Sequence, residues 1–259
     1  MSKVISISNH KGGVGKTTSA INIGAGIAQL KKRVLLIDLD PQANLSESLG
    51  IVEPESNIYQ AITGEQTVRP IEIFKGLELI PATLDLSGAE VELSSEMGRE
   101  YRLKRVVEAL RGSYDFIFID TPPSLGLLTI NAFTASDEVY IPLQAHYLAL
   151  RGLSKLTEVI DRVKDKLNPQ LTIGGVFITL YDSRKVLNRN VVEAIEANFG
   201  EKVFNTRIRE NISLAEAPTQ EMDIYRYSPK SYGEKNYLSL CKEILSKQHK
   251  HNKHNKQKH

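Results

Sequence analysis

The sequence predicts an α/β protein, folded as a single doubly wound domain with a mostly parallel central sheet. Short apolar runs rich in β-branched residues alternate with longer helical stretches along the 259 residues. Most of the short runs are apolar throughout, which is typical of parallel strands covered by helices on both faces. A glycine-rich segment carrying two lysines follows the first run. We therefore expect right-handed crossovers between successive strands.

The expected strands are six apolar segments, at residues 3–8, 33–40, 77–82, 115–120, 138–143 and 172–181. Helices are expected at 17–30, 99–111, 151–166 and 188–198, and in the first of these small or apolar residues recur with helical spacing. Residues 45–76 hold two turn-prone stretches, EPESN and ITGEQ, between short helical pieces. We expect this region to be an insertion at the strand ends and not a second domain.

Charge is distributed unevenly along the chain. The formal net charge is +2, but the last thirteen residues carry five lysines and no acidic residue. Without them, 28 basic residues stand against 31 acidic ones, so the basic character belongs to the tail. We expect one folded domain over residues 1–246 and a disordered tail rich in histidine and lysine over 247–259. A weak tether to a phosphate backbone is the alternative for this tail.

Composition narrows the class of protein. No apolar run approaches the ~20 residues of a membrane span, and the opening MSKVISIS lacks the layout of a signal peptide. We therefore expect a cytoplasmic location. The single cysteine, Cys241, excludes an intramolecular disulfide, a cysteine-rich metal site and iron–sulfur chemistry that needs several cysteines.

Residues 9–18, NHKGGVGKTT, have the order of a phosphate-binding loop, in which a strand, a glycine-rich turn and a helix follow one another. Glycines let backbone N–H groups approach phosphate oxygens, and the helix N-terminus favours an anion. Lys16 is placed to reach the β- and γ-phosphates, and the Thr17 hydroxyl to ligate Mg²⁺. The expected nucleotide contacts are Gly12, Gly13, Val14, Gly15, Lys16, Thr17 and Thr18. A glycine-rich turn before an ordinary helix is the alternative, which the register of the whole segment disfavours.

The loop departs from the usual pattern at one position. That pattern puts a glycine where this chain has His10, and the next residue is a second lysine, Lys11. The usual pattern assigns no role to this second lysine.

Three aspartates end two of the expected strands. Asp38 and Asp40 are two residues apart and so point to the same side of their strand, and Asp120 ends another. Ligands bind at the carboxyl ends of parallel strands, and Mg²⁺ would offset the cost of burying these carboxylates. Each aspartate alone could instead cap a helix or a turn.

Taken together, KGGVGKTT, VLLIDLDPQAN and YDFIFIDTPPSLGLLTINAFTASDEVYIPLQ resemble the ParA/Soj-type partition ATPases. These are P-loop NTPases of the deviant Walker-A class and are related to MinD. The likeness continues through LSGAEVEL (86–93), ALRGLSKL (149–156) and ISLAEAP (212–218), and it spans about residues 1–245.

The resemblance implies ATP and Mg²⁺ as cofactors and a role for each motif residue. Lys11 corresponds to the lysine that reaches the partner's ATP across a nucleotide-sandwich dimer, and Asp40 to the residue that positions the attacking water. Lys11, Lys16 and Asp40 are thus the expected catalytic residues, and Thr17, Asp38 and Asp120 the expected residues at the metal. Adenine contacts are expected within 207–218, from Asn211 and Pro218.

By the same resemblance, the chain is expected to be a slow, partner-stimulated ATPase that forms a homodimer with ATP. The dimer is expected to bind double-stranded DNA non-specifically and to segregate plasmid or chromosome DNA with a ParB-type centromere-binding protein, at the nucleoid. The expected DNA contacts are Arg184, Lys185, Arg189 and Arg209. Many relatives carry a basic residue before the LSEAP-like motif, where this chain has Ser213.

Two alternatives stay open. A MinD-like ATPase would need a C-terminal amphipathic helix for the membrane, and YLSLCKEILSK has an apolar stripe at 237, 238, 240, 241, 244 and 245. A helix that docks on the domain explains this stripe equally well, and we expect no membrane partner. The other alternative is an ATPase that positions a protein cargo, although Asp40 argues against a scaffold that has lost hydrolysis.

Overall fold

The computed structural model describes residues 2–64, 67–146 and 149–256. The strands are β1 (Lys3–Ile7), β2 (Val34–Asp38), β3 (Ile71–Phe74), β4 (Leu77–Ile80), β5 (Phe116–Asp120), β6 (Glu138–Gln144), β7 (Thr172–Tyr181) and β8 (Val203–Arg209). Within the described ranges these eight strands form one sheet, in the order β3-β4-β2-β5-β1-β6-β7-β8.

The helices are α1 (Lys16–Gln29), α2 (Asn44–Glu47), α3 (Ile58–Thr63), α4 (Leu86–Glu92), α5 (Arg102–Leu110), α6 (Leu127–Ala135), α7 (Ala149–Lys166), α8 (Val186–Phe199), α9 (Ile212–Glu216), α10 (Ile224–Tyr227) and α11 (Tyr232–Lys256). Short 3-10 turns occupy Leu93–Ser95, Arg99–Tyr101, Arg111–Ser113, Gly200–Lys202 and Ala217–Gln220.

Every strand pair in the sheet is parallel within the described residues, apart from the antiparallel hairpin of β3 and β4. This confirms the predicted doubly wound α/β domain. The strand order changes direction around β1, which lies between β5 and β6. Such a reversal opens a crevice at the carboxyl ends of the strands, and β1, β2 and β5 all end there. Asp38 pairs with Asp120 in the register of β2 and β5.

Helices cover both faces of the sheet because the central strands are apolar on both. In β1, Val4 belongs to the core beneath α5, α6, α7 and α8, while Ile5 belongs to the core beneath α1, α10 and α11. In β2, Leu35 and Leu36 divide between the same two cores. All four side chains are fully buried. Among the described helices, none combines the length and the apolar character of a membrane span.

The C-terminal helix α11 docks on the domain with the apolar stripe seen in the sequence. Tyr237, Leu240, Cys241 and Ile244 are buried in the core shared with α1. The contact is close because α1 has a glycine there: a Cβ on Gly26 would lie 2.2 Å from Tyr225 Oη and 2.7 Å from Cys241 Sγ. Burial raises the pKa of the Cys241 thiol to about 12, so it is protonated at neutral pH.

Of the elements missed in the sequence, three show different reasons for the miss. β3 lies inside the region expected to be an insertion, and only one side of this edge strand packs on the domain. β8 reads VFNTRIR, so polar residues hide its strand character. α6 is almost wholly apolar and buried on nearly every side, and it therefore lacks the amphipathic period that marks a helix.

The expected boundary between domain and tail, at residue 246, falls inside α11, which continues to Lys256. The first two residues of the expected tail contact the domain. Lys247 Nζ donates to the Glu201 carbonyl at 2.9 Å, and Gln248 Nε2 donates to Glu138 Oε2 at 2.9 Å. These contacts extend the folded unit past 246. Residues 257–259 lie outside the described residues.

Packing at Gly26 yields the first prediction. Gly26→Ala should lower the free energy of unfolding by about 1–3 kcal/mol, because the added methyl group meets Tyr225 and Cys241 in a filled core. Gly88→Ala is the matched control: it also lies in a helix, and a Cβ there meets nothing within 4 Å. The control should raise stability slightly. Urea unfolding of both variants measures this, and equal stabilities would refute the close α1–α11 contact.

Candidate functional site

The glycine-rich loop between β1 and α1 is held by hydrogen bonds to two strands, β6 and β7. Gly13 and Gly15 have left-handed φ values of 72° and 83°, which only glycine adopts without strain, and Gly15 is the N-cap of α1. Thr179 Oγ1 on β7 donates to the Val14 carbonyl at 2.9 Å, and Asn9 Nδ2 donates to the Pro142 carbonyl at 2.7 Å. The first turn of α1 has backbone N–H groups with no intrahelical acceptor, so the held loop presents an anion site.

Thr179 was missed in the sequence analysis. A threonine near the end of a buried strand carries no motif signal, and its partner is 165 residues away. Asn9 was quoted within the loop but given no role, and its partner is 133 residues away.

The two lysines of the loop have different surroundings. Lys16 is 8% exposed, and its Nζ lies 3.5 Å from the Lys11 carbonyl oxygen. Burial lowers the pKa of Lys16, and the charges of Asp120 and Asp40 oppose this shift. Lys11 is half-buried, and its Nζ lies 3.4 Å from Gln144 Oε1 on β6. Lys16 is thus buried near the carboxylates of Asp120 and Asp40, whereas Lys11 contacts the end of β6.

Asp38, at the end of β2, is fully buried and accepts three hydrogen bonds. Ser46 donates to its Oδ2 from the backbone N–H at 2.9 Å and from the hydroxyl at 2.7 Å, and the Asp40 N–H donates to its Oδ1 at 3.2 Å. Burial raises the pKa of the Asp38 carboxyl to about 6, although the bonds from Ser46 oppose the shift. Ser46 also accepts from the Ala82 N–H at 3.0 Å and so joins β2 to the end of β4. Ser46 carries no motif signal and was missed in the sequence analysis.

Asp120, at the end of β5, has one oxygen bonded and one oxygen without a partner. Thr17 Oγ1 donates to its Oδ2 at 2.6 Å, whereas Oδ1 is buried and has no hydrogen-bond partner among the described residues. Burial, followed by the charge of Asp38, raises the pKa of this carboxyl well above its usual value. An unpartnered carboxylate oxygen beside a threonine hydroxyl is the oxygen donor set that Mg²⁺ prefers. The residues present therefore fit a bound magnesium ion.

Asp40 faces the open part of the site. Its side chain is 8% exposed, its Oδ1 accepts from the Gln42 N–H at 3.0 Å, and it lines the cleft above the loop. The turn after it is tight, because Ala43 adopts a left-handed φ of 52° and donates its N–H to the Asp40 carbonyl. This turn holds the Asp40 carboxylate at the wall of the cleft.

A cleft of about 780 Å³ joins the loop to the segment after β8. Its phosphate end contains Gly12, Gly13, Gly15, Lys16, Thr17, Thr18 and Asp40, and its far end contains Ile208, Arg209, Glu210, Asn211, Ile212, Leu214, Ala215 and Tyr237. Asn211 lies in the far wall, where its side chain also caps α9 by accepting from the Ser213 N–H at 2.9 Å. Pro218 lies in the following 3-10 turn, outside the lining of this cleft, and its contact with a base stays a prediction.

The four candidate DNA contacts lie near the carboxyl ends of β7 and β8, but they differ in charge balance. Arg184 makes two hydrogen bonds to Asp182, at 2.9 Å each, and Lys185 Nζ lies 3.9 Å from Glu210 Oε2. Arg209 stacks on the Tyr232 ring at 5.0 Å and lines the cleft. Arg189 is exposed and donates to the Ser183 carbonyl at 3.2 Å.

Comparison with known proteins gives the family. A family model described as an AAA domain matches residues 2–173. The sporulation initiation inhibitor protein Soj of Bacillus subtilis is 47% identical over 253 residues, covering 95% of this chain and 99% of Soj. The chromosome partitioning protein ParA of Caulobacter vibrioides is 44% identical over 253 residues, covering 95% of each chain.

Among solved structures, the chain is similar to a cobyrinic acid a,c-diamide synthase from Mycobacterium smegmatis crystallised with an ATP analog and magnesium. The TM-score is 0.83 at 36% identity, and the match covers 95% of each chain. The sheet, the phosphate loop and the similarity to Soj and ParA along nearly the whole chain agree with one another. This chain belongs to the ParA/Soj family of chromosome-partitioning ATPases.

Proposed function

We propose that this chain hydrolyses ATP slowly, forms a homodimer with ATP and binds double-stranded DNA without sequence preference. In this proposal it segregates plasmid or chromosome DNA at the nucleoid, in the cytoplasm, with a ParB-type partner that stimulates hydrolysis. The observation that carries the proposal is the meeting, in one cleft, of the phosphate loop, the Thr17–Asp120 pair and Asp40. ATP and Mg²⁺ are its cofactors.

Binding of the phosphates would rest on the loop and on Lys16. A buried ammonium group is costly without an anion, and the polyphosphate would supply that anion. Thr17, Asp38 and Asp120 would hold Mg²⁺, with Asp38 acting from the neighbouring strand. When bound, Mg²⁺ would neutralise charge that develops on the phosphate oxygens. These residues are fixed by hydrogen bonds to the ends of β2 and β5, so the site is organised before the nucleotide arrives.

Hydrolysis would depend on Asp40, which would orient the attacking water and accept its proton. Its carboxylate lies at the phosphate end of the cleft, and the Asp40–Ala43 turn holds it in place. Catalysis of phosphoryl transfer consists mostly of positioning and charge stabilisation, so a site that lacks one cation is slow. Lys11 of a second subunit would supply that cation. In the structure its Nζ contacts Gln144 of its own subunit, at 3.4 Å.

The DNA surface would centre on Arg189. Arg184 and Lys185 each face a carboxylate, and Arg209 is engaged with Tyr232 and the cleft. Arg189 is exposed and donates to the neutral Ser183 carbonyl, with no carboxylate partner within the described residues, so its charge is available to a phosphate.

The structure bears on the other candidate functions. The apolar stripe of α11 is buried against α1, which argues against its use as a membrane-binding face. Amide synthesis with ammonia taken from glutamine would need a reactive thiolate as the nucleophile. Cys241 is fully buried and has a raised pKa, so it does not fit that role. A protein cargo in place of DNA remains the second candidate, and the DNA experiment below decides between them.

Alanine substitutions at the two lysines should separate binding from dimerisation. Lys16→Ala should weaken ATP binding at least about 30-fold, because a buried charge partner is worth about 2–5 kcal/mol. Lys11→Ala removes the same group five residues earlier and should leave ATP affinity within about threefold of the wild type, yet prevent the ATP dimer. Titration calorimetry and sedimentation velocity measure the two properties. An ATP-induced dimer of Lys11→Ala would contradict the role in trans.

Asp40→Ala should slow phosphate release by about 10²–10⁴-fold, the usual contribution of a positioned acid–base group, while leaving ATP binding intact. Single-turnover phosphate release measures this. Gln42→Ala, beside Asp40 in the same cleft, is the control because its backbone N–H bond to Asp40 survives the change. Equal release rates for Asp40→Ala and the wild type would remove the catalytic assignment.

DNA binding tests the whole proposal. Asp40→Ala should bind unrelated duplexes equally with ATP and much more weakly with ADP, at one fixed moderate salt concentration. Adding Arg189→Glu should weaken binding and lower the salt dependence by about one released counterion. Lys202→Glu is the control. Lys202 is exposed and lies just before β8, at its amino end, and the substitution changes the charge by the same amount. Fluorescence anisotropy gives these affinities, and absence of binding in either nucleotide would favour a protein cargo.

A further inference from the structure

A second cavity, of about 390 Å³, lies beside the nucleotide cleft. Leu180 and Glu210 line both, so the two spaces share a wall. On its other side the cavity is lined by Gln144, the residue in contact with Lys11 Nζ. The cavity therefore lies between the far end of the nucleotide cleft and the lysine proposed to act in trans.

The cavity is built by fixed groups. Asn188 is 7% exposed, donates from Nδ2 to the Ala145 carbonyl at 2.6 Å and accepts at Oδ1 from the Asp182 N–H at 3.0 Å. These bonds tie the start of α8 to the ends of β6 and β7. Leu180 has a left-handed φ of 49°, which is strained for a leucine, and is 37% exposed at the shared wall.

The rim of this cavity is apolar and open. Val186 and Leu187, the first residues of α8, are 58% and 49% exposed. We name Val186, Leu187 and the cavity beneath them the α8 shoulder. Beside it, Lys185 and Glu210 form an ion pair of 3.9 Å whose side chains are 59% and 68% exposed, and Asp182 neutralises Arg184. The charged side chains at the rim of the α8 shoulder are thus paired, which fits a protein surface. Arg189, the proposed DNA contact, lies outside this rim, further along α8.

We propose that the α8 shoulder is part of the homodimer interface and packs against a second copy of this chain. This inference rests on the proposed function, in which Lys11 crosses to the partner's ATP. A two-fold interface that brings Lys11 to the partner also covers the surface around it, and Gln144 joins Lys11 directly to the α8 shoulder. Burial of Val186 and Leu187 would add a hydrophobic contribution to an interface otherwise made of charged loop residues.

The inference also gives the Lys185–Glu210 pair a role. An exposed ion pair of this length contributes little to the stability of a subunit. In a two-fold interface, Lys185 of each copy can pair with Glu210 of the other copy, because the two contacts are related by symmetry. The pair thus offers matched charges at the edge of the apolar contact.

The test is a fluorescent label on an engineered surface cysteine. The single natural cysteine, Cys241, is fully buried and has a raised pKa, so the label reacts selectively with the engineered one. Leu187→Cys carries a fluorophore on the α8 shoulder. Val91→Cys carries it on α4, which follows β4 and so lies on the other side of β1 in the strand order, and the native residue is 76% exposed. Iodide quenching is measured with Mg²⁺ and either ADP or a non-hydrolysable ATP analogue, with sedimentation velocity on the same samples.

With the ATP analogue, quenching at position 187 should fall at least about threefold, while quenching at position 91 stays unchanged. If the label itself blocks assembly, the Leu187→Cys protein should remain monomeric while the Val91→Cys protein dimerises, which also supports the inference. Leu187→Asp without a label should weaken the dimer at least about tenfold, and Val91→Asp should not.

Two results would overturn the inference, and they differ. A dimer in which position 187 stays as accessible as in the monomer would place the α8 shoulder outside the interface and leave the proposed function standing. A wild-type chain that does not dimerise with the ATP analogue would overturn both.

Discussion

Burial of opposite charges at the carboxyl edge of the sheet is the constraint on which the site depends. Asp38 and Asp120 end adjacent parallel strands, and Lys16 begins the helix that faces them. Burial raises the pKa of Asp38 and of Asp120 and lowers the pKa of Lys16, so it favours the neutral form of each group. The attraction between Lys16 and Asp120 opposes these shifts only in part. Within the described residues the side chains of this polar cluster do not fully satisfy one another, since Asp120 Oδ1 is buried without a hydrogen-bond partner. In the proposed function, a polyphosphate and a divalent cation would complete this cluster.

The remaining structure keeps that cluster in place. Strands β6 and β7 support the loop through Asn9 and Thr179, while β4 supports Asp38 through Ser46. On the other side, α11 packs along α1. The Tyr237 hydroxyl lies 2.9 Å from Ser19 Oγ, two residues after Thr17. Tyr237 also lines the cleft, so the C-terminal helix forms part of the nucleotide site as well as of the core.

The sequence predicted the parts of this arrangement that are local. The order of strand, glycines, lysine and helix identifies Lys16 and Thr17, and strand-end aspartates identify Asp38 and Asp120, because strand direction alone brings them to one edge. Supporting residues such as Ser46, Thr179 and Gln144 could not be found in this way, since each acts on a partner distant in the chain or has no motif. Edge strands β3 and β8 were missed because half-exposed strands dilute the apolar signal, and the wholly buried α6 has no polar face to reveal its period.

The unpartnered oxygen of Asp120 has a consequence for the lifetime of the subunit in a cell. A ligand that binds only the folded state stabilises it by RT ln(1 + [L]/Kd), about 2.7 kcal/mol at a hundredfold excess over Kd. A subunit that loses its nucleotide gives up this protection and samples open, cleavable conformations more often. Occupancy of the cleft would then set how long each copy survives proteolysis, so the supply of nucleotide would govern the abundance of the protein as well as its activity.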